Sequence, residues 1–404
     1  MLSTYQLLLN GQPADPALYN AIVSLEVEEN IDLPGAVQLT LPVSRTNNGD
    51  LAYVSDPRFQ PLVNLAVVVV PAPATGAGAA AALAGAAAGL GVGGGGGPGP
   101  QCIFDGYILS QKMHLQTGLT NSTLIVWGQD ASWLMNLQEK VKEWADVTDA
   151  DVANSIFGDY GITPSGDNMT DDSASHSAPA HSLMQRGSDI QFLRMLARRS
   201  GKFCRVSCAD KPGQRTGYFS TPQLSGDPAA SLVLNDLQSW TVNNLDLSWD
   251  ATLATAVTAR QAVFSDPDEG GVSADTSDAS LPSLGSRLLA DFTGSPLTVM
   301  LAAPADTAGE LLLRARGLLR ESAWFVRCEG ETDVDRLGAV LRVGAVVTLD
   351  GVGPLHSGRY LVWSVRHTIS ADAHKMKFVL ARNAVGPAPS GASNGTGGLA
   401  GLLA

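Results

Sequence analysis

Along the first 140 residues, apolar and polar positions alternate with a period of two. Val23, Leu25 and Val27 alternate with Ser24 and Glu26, and Val37, Leu39 and Leu41 alternate with Gln38, Thr40 and Pro42. This spacing predicts strands that bury one face. Residues 65–70 are continuously apolar between prolines and predict a strand covered on both faces. A further strand is expected at 122–127, ahead of a short helix at 131–137. The period changes after residue 147. Thr148 is placed to cap a helix with apolar Val152, Ile156, Phe157 and Tyr160, which Gly161 ends. Ser188 and Gln191 form a capping box, with Asp189 in the first turn where the helix dipole favours an anion. Phe192, Leu193, Leu196 and Ala197 then make one apolar stripe, while Gln191, Arg194, Arg198 and Arg199 stay polar. Gly201 stops that helix, and a strand is expected at 202–208. The Ser/Asp-rich stretch 167–180 is expected to be a loop. Helical spacing returns only at 307–320, through Leu311, Leu312, Leu318 and Leu319. Strands are expected at 218–220, 231–242, 346–349, 360–367 and 377–380.

These patterns divide the chain into a first β domain at 1–140, an α/β domain at 141–230, a second β domain at 231–386 containing the helix at 307–320, and a flexible tail at 387–404. The first domain carries an Ala/Gly-rich insert at 71–100, expected to lengthen a hairpin loop, because glycine this dense holds too much backbone entropy for a packed element. A formal GxGxxG at 91–96 falls inside it. No strand immediately precedes that motif and a Pro-Gly-Pro follows, so it does not signal a dinucleotide.

The chain has 404 residues, enough for two or three domains, and its 45% hydrophobic and 16% charged residues suit a folded protein. A net charge of −13 and a pI near 4.8 argue against nucleic acid and against an anionic membrane surface as partners. The basic stretch 186–215 is expected to be a solvated helix face paired with acidic neighbours. The N-terminus lacks the basic flank and apolar core of a secretion signal. The low-polarity run 62–92 is too weakly apolar, and too broken by Pro71 and Pro73, to predict a stable membrane span.

Little of the sequence advertises chemistry. Cys204 and Cys208, on one strand, would point the same way but sit about 13 Å apart, too far to share a metal. All four cysteines are expected as free thiols. His176 and His181 stand in a loop at a spacing that fits no ligand pair, His114 and His374 are isolated, His356 lies in a loop and His367 ends a strand. No nucleophile elbow accompanies them. Asp266, Asp268 and Glu269, followed by Gly270 and Gly271, lack the alternation of a calcium loop and read as a turn. Sequons begin at Asn121, Asn168 and Asn394 and carry little meaning without a secretion signal. No catalytic, cofactor-binding or metal residue is assigned, and no cofactor is expected.

The wording of 185–206, QRGSDIQFLRMLARRSGKFCRV, resembles the SDxxFLxxLAxxxGxxxxV signature of the phage late control gene D family, which includes the hub part of VgrG proteins. Three further stretches resemble the same family in the same order: 22–43, then 104–135, then 341–369 continued by KMKFVLARN. The resemblance implies a β-rich α+β fold, with two β-barrel domains of hub type and an intervening α/β domain. It also implies a structural baseplate hub of a contractile injection system or phage-like tail. There a homotrimer would join the hexameric inner tube to a central spike, among other baseplate components. The family's long spike domain has no counterpart after Asn383, so the spike is expected as a separate protein. His367 falls in the family's closing strand, with no catalytic duty. Assembly would take place in the bacterial cytoplasm before incorporation into the particle. The alternatives are a tail-associated cell-wall hydrolase or esterase, which would need a catalytic cleft, and a carbohydrate-binding module, which 6% aromatic content supports poorly.

Overall fold

The computed structural model describes residues 4–71, 99–119, 121–176, 183–209, 211–236, 238–261, 272–303, 305 and 307–388. The GxGxxG, most of the insert, His181, the acidic turn at 266–271, Asn394 and nearly all of the tail lie outside them.

Six strands build the first part of the chain: β1 (Thr4–Leu9), β2 (Ser24–Asn30), β3 (Ala36–Pro42), β4 (Asn64–Val70), β5 (Gln101–His114) and β6 (Thr123–Asp130). Their period-two positions face inward: Leu25, Val27, Val37, Leu39 and Leu41 are all buried. Val23 is the exception, because it precedes β2 and is 54% exposed. The expected double-faced burial of β4 holds from Leu65 to Val69. A 3-10 helix, Ala131–Asn136, stands where the short helix was expected.

An α/β block follows, with β7 (Glu139–Trp144), α1 (Asp149–Asp159), β8 (Leu183–Ser188), α2 (Asp189–Arg199), β9 (Phe203–Cys208) and β10 (Arg215–Ser220). Thr148 caps α1 through a reciprocal box with Asp151, and Ser188 and Gln191 do the same for α2. The apolar stripe of α2 joins Val152, Ile156, Phe157 and Phe219 in one core. Asp189 does more than meet the helix dipole. It is buried and accepts from Lys140 at 2.5 Å, Tyr160 at 2.7 Å and Gln185 at 2.6 Å. Burial works to raise its pKa, but these donors outweigh that and hold it below the usual carboxylate range. The stretch expected as a loop at 167–180 is partly ordered. It has a helical turn at Asp167–Thr170 and a two-residue pairing of Ser175–His176 with Val147–Thr148. Asn168 causes the order: it is buried, donates to the Gly217 carbonyl at 3.1 Å and accepts from the Phe219 N–H at 2.7 Å.

The remaining elements are β11 (Ser231–Val233), β12 (Val242–Trp249), β13 (Ala256–Gln261), β14 (Val272–Thr276), β15 (Thr298–Leu301), α3 (Ala308–Ser322), β16 (Val326–Asp333), β17 (Val346–Asp350), β18 (Gly358–Ile369) and β19 (His374–Arg382). The apolar run at 231–242 is two strands instead of one, because the chain turns through a left-handed Asn235 (φ 61°). Helix α3 packs on the small sheet β13–β15, with its own core of Val257, Ala259, Leu311, Ala315 and Leu319. It reaches α2 where Gly201 and Gly317 meet: a Cβ on Gly201 would stand 2.6 Å from the Gly317 carbonyl oxygen.

One continuous sheet carries both β parts. Its strands run β12-β16-β19-β18-β2-β3-β6-β5-β4-β1, with the two-residue strand Gln12–Pro13 beyond β1; β17 lies on the same edge of β18 as β2, along its first residues, with β11 beyond it. The two halves repeat one plan. In sheet order the first half is β2-β3-β6-β5-β4-β1 and the second is β12-β16-β19-β18-β17-β11, so strands of equal rank occupy equal places. Both long central strands slip register at matching points, between Ile108 and Ser110 and between Val362 and Ser364. Just before β4, left-handed Leu62 (φ 71°) donates to the Ile108 carbonyl; just before β17, left-handed Gly344 (φ 84°) donates to the Val362 carbonyl. The halves differ in that β1–β4 is antiparallel and β11–β17 parallel. The chain is therefore β-rich with few helices. The expectation of two β-barrels is met only in that coarser form, since the pairings among the described residues trace an open path and close no ring.

Phe192 is 2% exposed within the α/β core. Phe192→Ala is expected to cost about 3–5 kcal/mol, read as a lowered midpoint in chemical unfolding; an unchanged midpoint would remove this helix face from the core.

Candidate assembly surface

Because side chains alternate across a strand, the sheet that buries Leu25, Val27, Val365 and Phe378 on one side must present the intervening residues on the other. Those residues are polar and of both signs. A groove of about 430 Å³ runs over β2, β18, β19, β16 and β12, lined by Glu28, Asp246, Glu329, Glu331, Arg366 and Lys377 among others. Arg366 pairs with Glu28 at 2.7 Å and Lys375 with Glu331 at 3.1 Å. Pairs this exposed contribute little stability. Their effect is to keep the face hydrated and mixed in charge, with no nucleophile and base brought together on it.

The candidate residues fall elsewhere. His374, expected to be isolated, stands beside His367 inside the sheet, with Nδ1 of His367 and Nε2 of His374 3.1 Å apart. The hairpin of β18 and β19 makes this pair, and seven residues of separation gave no sign of it. His356 stands edge-on to Trp249 at 6.0 Å. His114 is exposed and within 3.1 Å of the Gln116 amide. His176 is buried against Asp149 at 2.9 Å, and Arg199 reaches the same carboxylate at 2.5 Å. The basic stretch 186–215 therefore differs from the expected solvated face. Arg198 meets Asp32 near the surface at 3.2 Å, whereas Arg199–Asp149 and Arg215–Asp105 (2.9 Å) are largely buried pairs. All four cysteines are free thiols; Cys204 is buried and Cys208 partly so. Asn168 is buried, so its sequon presents no accessible acceptor.

Two buried arginines were not singled out by sequence. Arg320 of α3 donates to the carbonyls of Ala279 and Ser200, each at 3.0 Å, and so caps the end of α2. Arg382 donates to the carbonyls of His356, Ser357, Leu284 and Gly386, fastening the loops at one end of the second half. Arg382 spends its donors on backbone carbonyls, and Arg320 adds an ion pair to Asp172 at 3.5 Å; both uses are structural. Among the described residues no group of three His, Cys, Asp or Glu could hold a metal ion, and no helix is long and apolar enough to cross a membrane.

A family model described as the phage tail baseplate hub matches residues 64–373. The chain belongs to that family. Among solved structures, this chain is similar to the prophage MuSo2 43 kDa tail protein from Shewanella oneidensis, at 13% identity and TM-score 0.62, covering 94% of this chain and 98% of that one. It is also similar to the tail protein from Neisseria meningitidis, at 12% identity and TM-score 0.61, covering 95% and 97%. An E. coli component of the type VI secretion system matches at 12% identity and TM-score 0.52, covering 95% of this chain and 79% of that one. No curated protein matches this chain by sequence. At these identities the structural likeness speaks for the fold, while the family model supplies the membership.

Burial pushes the pKa of both His367 and His374 down to about 3, with Arg342 adding for the former and His367 for the latter. In the unfolded chain each would titrate near 6.5. Below that pH the unfolded state takes up protons that the native state refuses, so stability is lost as pH falls from about 6.5 toward 3. A loss of about 2–3 kcal/mol per imidazole by pH 4.5 follows from 1.36 kcal/mol per unit. Urea midpoints between pH 7 and 4.5 should show it, with a shallower slope in His374→Gln; equal slopes would assign the pH dependence to other groups.

Proposed function

We propose that this chain is the structural hub of a contractile tail or injection-system baseplate, acting as a homotrimer that adapts the hexameric inner tube to a separate central spike. The observation that carries the reading is the repeated strand plan within one sheet. Two equivalent units per chain, taken three times, present six equivalent units to a sixfold ring, while the complete chains keep the threefold symmetry a trimeric spike requires. Family membership over 64–373 supports it. The mixed-charge, hydrated face of the sheet suits the wall of a channel through which other material passes without sticking. The chain would be made and assembled in the bacterial cytoplasm. We further propose that it has no catalytic activity. His367, buried against His374, and His176, tied to Asp149 and Arg199, serve packing. The acidic balance of the chain supports protein partners over nucleic acid or membrane.

Isolation of the intact particle tests this. Three hub copies should be found with tube protein and a separate spike protein, and no cell-wall hydrolysis should follow the hub. Two or six copies, a spike fused to this chain, or recovery only as a hydrolytic monomer would each contradict the proposal.

A further inference from the structure

Side chains alternate along β9, so Cys204 and Val206 enter the α/β core while Phe203 and Arg205 point the other way. Across the hairpin Phe203 faces Ser220 and Arg205 faces Tyr218, which sets all four on one side of the ribbon. That side fronts the turn at 343–345 before β17. Between them lies a pocket of about 290 Å³, lined among others by Arg205, Tyr218, Ser220, Gly344 and Asp167. It marks the place where the α/β block meets the second half of the sheet, and it shares no residue with the mixed-charge groove.

Arg205 is what sets the pocket apart. Arg199, Arg215 and Arg342 each end on a carboxylate, Asp149, Asp105 and Glu29, at between 2.5 and 2.9 Å. Arg205 forms no ion pair among the described residues. Its guanidinium lies over the Tyr218 ring, 4.0 Å from the centroid, and passes Gly344 so closely that a Cβ there would stand 2.7 Å from Nη2. Glycine at this left-handed position (φ 84°) leaves room for the arm. Burial lowers the pKa of Arg205 against the attraction of Tyr218 and of Glu29, and Arg342 adds to the lowering. A cation held away from water without a counter-charge is costly, and an anion in the pocket would relieve that cost. Ser220 supplies a second donor: it is 7% exposed, and its hydroxyl makes no hydrogen bond among the described residues.

We propose that this pocket binds a monocarboxylate with an apolar body, its carboxylate held by the Arg205 guanidinium and the Ser220 hydroxyl. A guanidinium presents its N–H donors in a planar fork that matches a carboxylate, and contact with Tyr218 restrains the arm that carries it. Phe203 and Val343 add apolar wall, with Trp363 backing Phe203 at 5.2 Å. Asp167 limits the charge: a second negative charge, as on phosphate or a dicarboxylate, would be repelled by it. The volume falls just below the ~300–1,000 Å³ of pockets for drug-sized ligands, so the occupant is a small acid or the terminal residue of a polypeptide. Bound there, it would bridge the β9–β10 hairpin to the turn before β17. The site goes beyond the hub reading and does not rest on it.

Calorimetric titration of the full-length chain tests it, with N-acetyl-leucine as the acid and N-acetyl-leucinamide as its uncharged twin. The acid should bind saturably and raise the thermal midpoint; the amide, phosphate and succinate at equal ionic strength should not. Arg205→Gln should weaken the acid about tenfold or more, because it removes a charge-assisted hydrogen-bonded pair, and Ser220→Ala by a smaller factor. A short peptide ending in leucine, set against its C-terminal amide, separates the two sources. Tighter binding of the peptide acid than of N-acetyl-leucine assigns the site to a polypeptide terminus, and equal or weaker binding to a free acid. Should Arg205→Gln fail to fold, Ser220→Ala and the comparison of acid with amide on the unchanged chain carry the test. No response to either acid, equal responses to acid and amide, or binding unchanged in a folded Arg205→Gln chain would overturn the proposal. Phosphate bound as tightly as the acid would overturn the choice of a carboxylate.

Discussion

The β2–β18 pairing is the contact on which the rest of the molecule depends. It joins strands more than 330 residues apart in sequence, Ser364 facing Asn30 and Ile369 facing Leu25, and so turns two six-stranded units into one sheet. Beneath it Leu25, Val27, Val365 and Ile369 are buried in a core that runs through both halves. Arg342 reaches across from the second half to Glu29 at 2.8 Å, a mostly buried pair that holds the seam from one side, while the Arg366–Glu28 pair spans its wet face. Without this seam each half would present an open edge and an uncovered apolar flank.

Everything inserted between the strands braces that sheet. The α/β block attaches through Arg215–Asp105 and through the Cys208 thiol, 2.7 Å from the Cys102 carbonyl, both contacts ending on β5. The small β13–β15 sheet and α3 attach in turn to the α/β block, through Arg320 on the end of α2 and the close approach of Gly201 and Gly317. Charges inside the protein are met by backbone carbonyls or by close polar side chains, as at Arg382 and Asp189, and the pairs on the groove face stay exposed to water. This division suits the structural role proposed above.

Much of the local structure was legible. Period-two alternation located β2 and β3, an unbroken apolar run located β4, and a reciprocal cap with an apolar stripe located α2 almost to the residue, because each signal is a local free-energy preference. Segments held by distant partners were less so. The stretch at 167–180 looked like a loop because Ser and Asp dominate it, and it is ordered by the amide of Asn168 inserted against β10. His374 looked isolated because its partner approaches across a hairpin.

The family was legible in the sequence alone, through four ordered stretches of which three fall in or reach into the matched residues 64–373, as were the strand-rich character and the position of the capped helix. The internal repeat was not. Equivalent positions such as Leu62 and Gly344 share a place without sharing chemistry. Strand pairing is made by backbone hydrogen bonds that every residue but proline can donate, so side chains record which face is buried and not which strand lies alongside. Only the tertiary structure, by setting the strands of each half in the same order within one sheet, decided that the two halves repeat one plan.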